Sequence, residues 1–243
     1  MAVEPKYMTE AQAHAAGLDQ GLRSYMLGVY NYMATALAVT GLFALGLSMM
    51  AVTDGQVNSL GMLLYGSPLK WVIMLAPLGM VFFLSARLHA LQPGTAQVLF
   101  WVYAAMMGMS LSSIFLVYTG ESIARVFFIT AASFGGLSLF GYTTKKNLSG
   151  MGSFLMMGLI GIIIAMVVNI FLESSALHFA ISVIGVLVFA GFTAYDTQQI
   201  KEMYIEGEDS ATVTKKSIMG ALRLYLDFIN LFIMLLSLFG NRE

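Results

Sequence analysis

Asp196 lies in the stretch GFTAYDTQQI, residues 191–200, which follows directly on the apolar run HFAISVIGVLVFA. Asp227 occupies a second such setting, LRLYLDFINLF. A charged side chain near the centre of a bilayer costs at least ~2.5 to 3.5 kcal/mol on insertion scales, so an acid inside an apolar run points to a function that needs it. One helical turn from Asp196 stand Thr193 and Gln199; one turn from Asp227 stand Arg223 and Asn230. Each segment therefore has a polar face if it is helical, and two such faces on neighbouring helices are expected to meet each other rather than lipid. A counter-charge is available from Arg87, in MVFFLSARLHALQPG, or from Arg223. An arginine at the end of a span also serves as a snorkelling topology marker.

The elements that position these residues follow from composition. Of 243 residues, 58% are hydrophobic and 10% charged, with a mean hydropathy of +0.81. Soluble domains carry roughly 25% charge, so the chain is expected to be an all-α integral membrane protein. Seven windows reach or approach the ~20 apolar residues that a span requires: Val29–Val52, Leu69–Leu91, Ala96–Tyr118, Ile123–Tyr142, Gly152–Leu172, His178–Ile200 and Ser217–Phe239. The seventh carries Arg223, Asp227 and Asn230 in its first half, which places it inside the bundle with little lipid contact. Residues 1–23 form a polar tail, without the apolar core of a signal peptide, and residues 24–243 form one transmembrane domain. The loop KEMYIEGEDSATVTKK joins spans six and seven as antiparallel neighbours and can bring Asp196 and Asp227 to similar depth.

Other chemistries find little support. With no cysteine there are no disulfides or thiolate metal sites. A net charge of -1 without a basic stripe excludes nucleic acid as a partner. His14, His89 and His178 have no metal-ligand spacing and are expected at interfaces, while Glu121 and Glu173 fall at span ends as solvated loop acids. No G-x-S-x-G or H-E-x-x-H occurs, and S-G-M-G-S at 149–153 matches neither a phosphate loop nor a nucleophile elbow. Gly135, Gly136, Gly158, Gly161, Gly185 and Gly191 are expected to mediate close helix packing. Pro77, inside span two, removes a backbone hydrogen bond and is a candidate hinge for the half of that span bearing Arg87.

GFTAYDTQQIKEMY in span six, GYTTKKNLSGMGSFL between spans four and five, and LRLYLDFINLF in span seven resemble the Bax inhibitor family over roughly residues 24–240. The resemblance implies a seven-helix fold with the last helix central and a pH-sensitive calcium leak. It further implies an aspartate pair near an arginine of span two, at positions that match Asp196, Asp227 and Arg87. Bacterial members are linked to a membrane-bound protease and to stress tolerance, which implies a cell inner membrane location and leaves a non-conducting regulator as an alternative. No enzyme and no tightly bound cofactor are expected. Calcium would be the transported or sensed ion, held weakly by Asp196 and Asp227 with Thr193, Gln199, Asn230 and water, since Ca²⁺ prefers 6 to 8 oxygens. Two carboxyls in contact cannot both ionise cheaply and would titrate as a unit. If Arg87 bridges them in the closed state, protonation would break the bridge and acid would open the path. An intramembrane aspartyl protease is the enzymatic alternative: Tyr195-Asp196 matches the YD half of that pattern, but G-x-G-D is absent around Asp227 and no proline follows Pro93.

Orientation follows from Lys and Arg. With the N-terminus in the cytoplasm, nine fall on that side (Lys6, Arg23, Arg87, Lys145, Lys146, Lys201, Lys215, Lys216, Arg223) and three on the other (Lys70, Arg125, Arg242). Reporter fusions at Met1 and Glu243 should therefore report a cytoplasmic N-terminus and an external C-terminus. Both ends on one side would mean that the seventh segment does not cross.

Overall fold

The computed structural model describes residues 10–53 and 55–241. Lys6 and Arg242 of the charge count, and the first nine residues of the polar tail, lie outside the described residues. Seven long helices follow one another: α1 Glu10–Ala51, α2 Leu69–Arg87, α3 Pro93–Leu111, α4 Gly120–Thr143, α5 Ser149–Leu172, α6 Ser175–Glu202 and α7 Ser210–Phe239. Each is long and apolar enough to cross a membrane. The helical backbone of α1 reaches back through the polar residues 10–23, and its apolar span begins near Gln20. A two-residue hairpin, Val52–Thr53 against Gln56–Val57, leads from α1 to the connection with α2.

The last helix is the centre of the bundle. In its most apolar window 61% of residues are buried, against 11% for both α2 and α5, as expected of a span whose Arg223, Asp227 and Asn230 must be kept from lipid. α1, α3, α4 and α6 surround α7, whereas α2 packs chiefly against α3, and α5 against α6. α5 thus reaches the core only through α6 and leaves space beside α7.

Lipid gives helices no hydrophobic reason to associate, so close steric contact and hydrogen bonds must hold them. Gly108 of α3 lies where a Cβ would stand 2.4 Å from Thr40 O of α1, and Gly141 of α4 where it would stand 2.2 Å from Ala194 O of α6. Of the glycines expected to pack closely, Gly158, Gly185 and Gly191 do so, while Gly135, Gly136 and Gly161 have nothing within 4 Å of where a Cβ would be. Thr40 Oγ1 donates to Ala104 O at 2.9 Å and shares a 2.7 Å bond with Tyr225 OH, tying α1, α3 and α7 together. At one face of the bundle the rings of Tyr25 and Tyr204 meet at 5.7 Å, so the start of the apolar span of α1 sits beside the α6–α7 loop. At the opposite face Thr119 N donates to Asn241 O (3.1 Å) and Asn241 N to Ser122 Oγ (2.9 Å), fastening the end of α7 to the start of α4. Tyr25 and Asn241 therefore lie at opposite faces of the bundle.

Gly141→Ala forces two backbones apart and is expected to cost about 1 to 3 kcal/mol, the usual range for overpacking. Gly135→Ala meets open space and should be neutral or stabilising by up to about 1 kcal/mol through helix propensity. Thermal unfolding of both variants in detergent would check the contrast; equal effects would contradict the close contact.

Candidate functional site

The register of α6 against α7 is set by the loop between them. Asp209 caps α7: its Oδ1 accepts from Thr212 N at 3.0 Å and its Oδ2 from Thr212 Oγ1 at 2.6 Å, which holds this carboxyl below the usual carboxylate range. Lys216 donates to Glu208 Oε1 at 2.6 Å and to Met203 O at 2.9 Å, so the first turns of α7 grip both the loop and the end of α6. With the turn fixed in this way, Asp196 and Asp227 face each other across the helix pair.

Their carboxyls lie within hydrogen-bonding range of one another. Asp227 is buried and Asp196 half-buried. Asp227 Oδ2 is buried with no hydrogen-bond donor among the described residues. Two ionised carboxylates offer four oxygens and no hydrogen, so the contact becomes a hydrogen bond only when one of them carries a proton. The cation beside the pair is Arg223, whose charge acts favourably on both. Both acids, Arg223 and Asn230 line a cavity of about 400 Å³ between α5, α6 and α7, in the space that α5 leaves by packing on α6. Asn230 Nδ2 donates to Leu226 O at 2.8 Å, leaving its carbonyl oxygen for the cavity.

Arg87 is not at this site. It is exposed at the end of α2, neither lining the cavity nor acting on either carboxyl. The reason is geometric. The turn after α2 docks where Lys215 Nζ donates to His89 O at 3.0 Å, and Lys215 precedes Asp227 by twelve residues, ~18 Å along a helix. That exceeds the reach of a guanidinium, and the role of counter-charge passes to Arg223. Pro77 is buried within an uninterrupted α2.

Two of the supporting residues also point elsewhere. Thr193 is buried and donates to Phe189 O at 2.8 Å, and Gln199 Nε2 donates to Glu202 Oε2 at 3.3 Å. Among the described residues no three His, Cys, Asp or Glu side chains converge on a metal position.

The structure also assigns work to neighbours of Asp196 that sequence reasoning passed over. Tyr30 OH bonds Ser138 Oγ at 2.6 Å, and Ser138 Oγ bonds Thr197 Oγ1 at 3.0 Å, joining α1, α4 and α6. Gln198 Oε1 accepts from Leu148 N at 2.7 Å, and its Nε2 donates to Lys146 O at 2.9 Å, pinning the α4–α5 connection. The four-residue spacing of Thr193 and Thr197 was the available signal for a second polar face on α6.

Residues 22–243 match the family model described as inhibitor of apoptosis-promoting Bax1. An uncharacterised protein of Caulobacter vibrioides is 52% identical over 230 residues, covering 93% of this chain and 92% of that protein. An uncharacterised protein of Rickettsia prowazekii is 50% identical over 225 residues, with coverage of 93% and 92%. The inner membrane protein YbhL of Escherichia coli is 47% identical over 225 residues, with coverage of 92% and 94%. On matches that run nearly end to end in both directions, together with seven membrane-length helices around a central last one, this chain belongs to the Bax inhibitor family.

Proposed function

We propose that the protein is a calcium-permeable cation leak of the bacterial inner membrane, with its N-terminus in the cytoplasm and its conductance set by the protonation of the Asp196–Asp227 pair. The observation that carries this reading is a pair of carboxyls on two membrane-length helices, close enough to act on each other and placed in the wall of one cavity. Burying such a pair is costly, and a merely structural contact between α6 and α7 would be made more cheaply by apolar side chains. Asp196, Asp227, Asn230 and water offer Ca²⁺ too few oxygens for tight binding, which suits passage better than storage. The acid-opening expectation rested on a bridge to Arg87. With Arg223 as the neighbouring cation, the direction of the response depends on whether the proton-sharing contact belongs to the conducting or the closed state.

Calcium flux into liposomes carrying the purified protein, measured from mildly acidic to neutral pH, tests the proposal. The wild type should show a pH-dependent flux, and Asp227→Asn should flatten it by removing a titrating group while keeping its shape. Arg223→Gln should move the midpoint, whereas Arg87→Ala should leave it in place. A response that survives in both Asp196→Asn and Asp227→Asn would remove the pair from the mechanism. Folded protein without flux at any pH would favour a non-conducting regulator of other membrane proteins.

A further inference from the structure

Five residues of α7 recur at spacings of four and three: Arg223, Asp227, Asn230, Met234 and Ser237. At 100° per residue they fall within about 80° of one another, on a single face. α6 repeats the pattern with His178, Ser182, Gly185, Phe189, Phe192 and Asp196, the first and last being five full turns apart. These faces border two cavities. One is the cavity of the aspartate pair. The other, of about 310 Å³, lies toward the opposite end of the same helices and is lined by Asn169, His178, Ser182 and Ser237. Both are walled by Met166 of α5 and Met234 of α7.

Of these two thioethers, that of Met234 is seated on α6. Met234 is buried and lies over Gly185 so closely that a Cβ on the glycine would stand 2.7 Å from its sulfur. At the far end, Ser237 Oγ bonds His178 Nε2 at 2.8 Å and Ser182 Oγ at 2.9 Å, and Ser182 Oγ also donates to His178 O at 2.9 Å. The cluster lies where α6 begins and α7 ends, with Ser182 buried and His178 exposed. It matches the aspartate site as a second place where a partly dehydrated ion or water finds oxygen and nitrogen partners.

We infer that the groove between α5, α6 and α7 is one permeation route with two polar stations, the aspartate pair and the His178–Ser182–Ser237 cluster, closed between them by Met234 seated on Gly185. The stations stand ten residues apart along α7, ~15 Å, about half the hydrocarbon thickness. A methionine closes such a route by excluding water from a narrow apolar neck, and its unbranched, flexible side chain can swing clear without helix movement. The inference rests on the leak reading for its traffic, but the aqueous character of the groove can be tested separately.

The absence of cysteine allows single thiols to be placed in an otherwise unreactive chain. Ser237→Cys, Asn230→Cys and, as a control on the lipid-facing side of α6, Leu187→Cys are reconstituted and exposed to a membrane-impermeant methanethiosulfonate bearing a trimethylammonium group. Ser237→Cys and Asn230→Cys should react and Leu187→Cys should not, with millimolar Ca²⁺ slowing the first two. In parallel, Met234→Ala should raise calcium flux several-fold and Met234→Leu should return it to near the wild-type level, in samples of matched thermal stability. Thiols at 230 and 237 as inert as that at 187 would mean a groove filled by hydrocarbon, and would overturn the inference whatever the flux. Reactive thiols whose modification leaves an existing flux unchanged would place the route elsewhere and also overturn it. Reactive thiols in a protein without flux would retain the water-filled groove while refuting the leak.

Discussion

Because hydrocarbon offers a carboxyl neither water nor a counter-ion, the contact between Asp196 and Asp227 can persist only inside protein, and the arrangement of the bundle follows from that need. Asp227 sits on the helix with most of its surface buried, and α1, α3, α4 and α6 supply the walls. The side of α7 that carries polar groups is the side α5 leaves open. Had α5 packed directly onto α7, Arg223 and Asn230 would have lost their room, and the pair the cation beside it. The open side is therefore as necessary to the site as the packed ones.

The remaining polar contacts are of another kind. Tyr30, Ser138 and Thr197, or Thr40, Tyr225 and the carbonyl of Ala104, are neutral groups that satisfy one another across helices. Each such bond inside a membrane contributes on average only ~0.6 kcal/mol, so they fix rotation and register more than they hold the helices together. Backbone approach at Gly108 and Gly141 brings the elements close enough for these short side chains to reach. Within the bundle small residues set distance and hydroxyls set register, while Lys216, Glu208 and Asp209 fix the loop between α6 and α7.

The number, order and approximate limits of the helices were legible in the sequence because hydropathy over ~20 residues is a strong local signal. The centrality of α7 was also readable, from Arg223, Asp227 and Asn230 in an otherwise apolar stretch. Less could be read where the answer depends on which helix touches which. Arg87 was the expected counter-charge and Arg223 its competitor, and the docking of the turn after α2 near Lys215 reverses that order. Thr193 and Asp196 are one turn apart, yet one bonds its own helix and the other faces α7, a distinction that turns on the azimuth of neighbours absent from the local pattern. Gly135 and Gly158 look alike in sequence for the same reason, although only Gly158 has a neighbour against it.

That the central helix follows the other six in the chain has a consequence for biosynthesis. Translation proceeds N-terminal first, at about 5 to 20 residues per second, so six spans enter the membrane before their common core exists. Until α7 arrives, the faces of α1, α3, α4 and α6 that will enclose it have nothing of their own to pack against, and Thr40, Ser182 and Asp196 lack their partners Tyr225, Ser237 and Asp227. Assembly of the bundle must then wait for α7, whose end is fastened by Asn241 to Thr119 and Ser122. A product lacking α7 would accordingly leave the hydroxyls of Thr40 and Ser182 and the carboxyl of Asp196 without these partners.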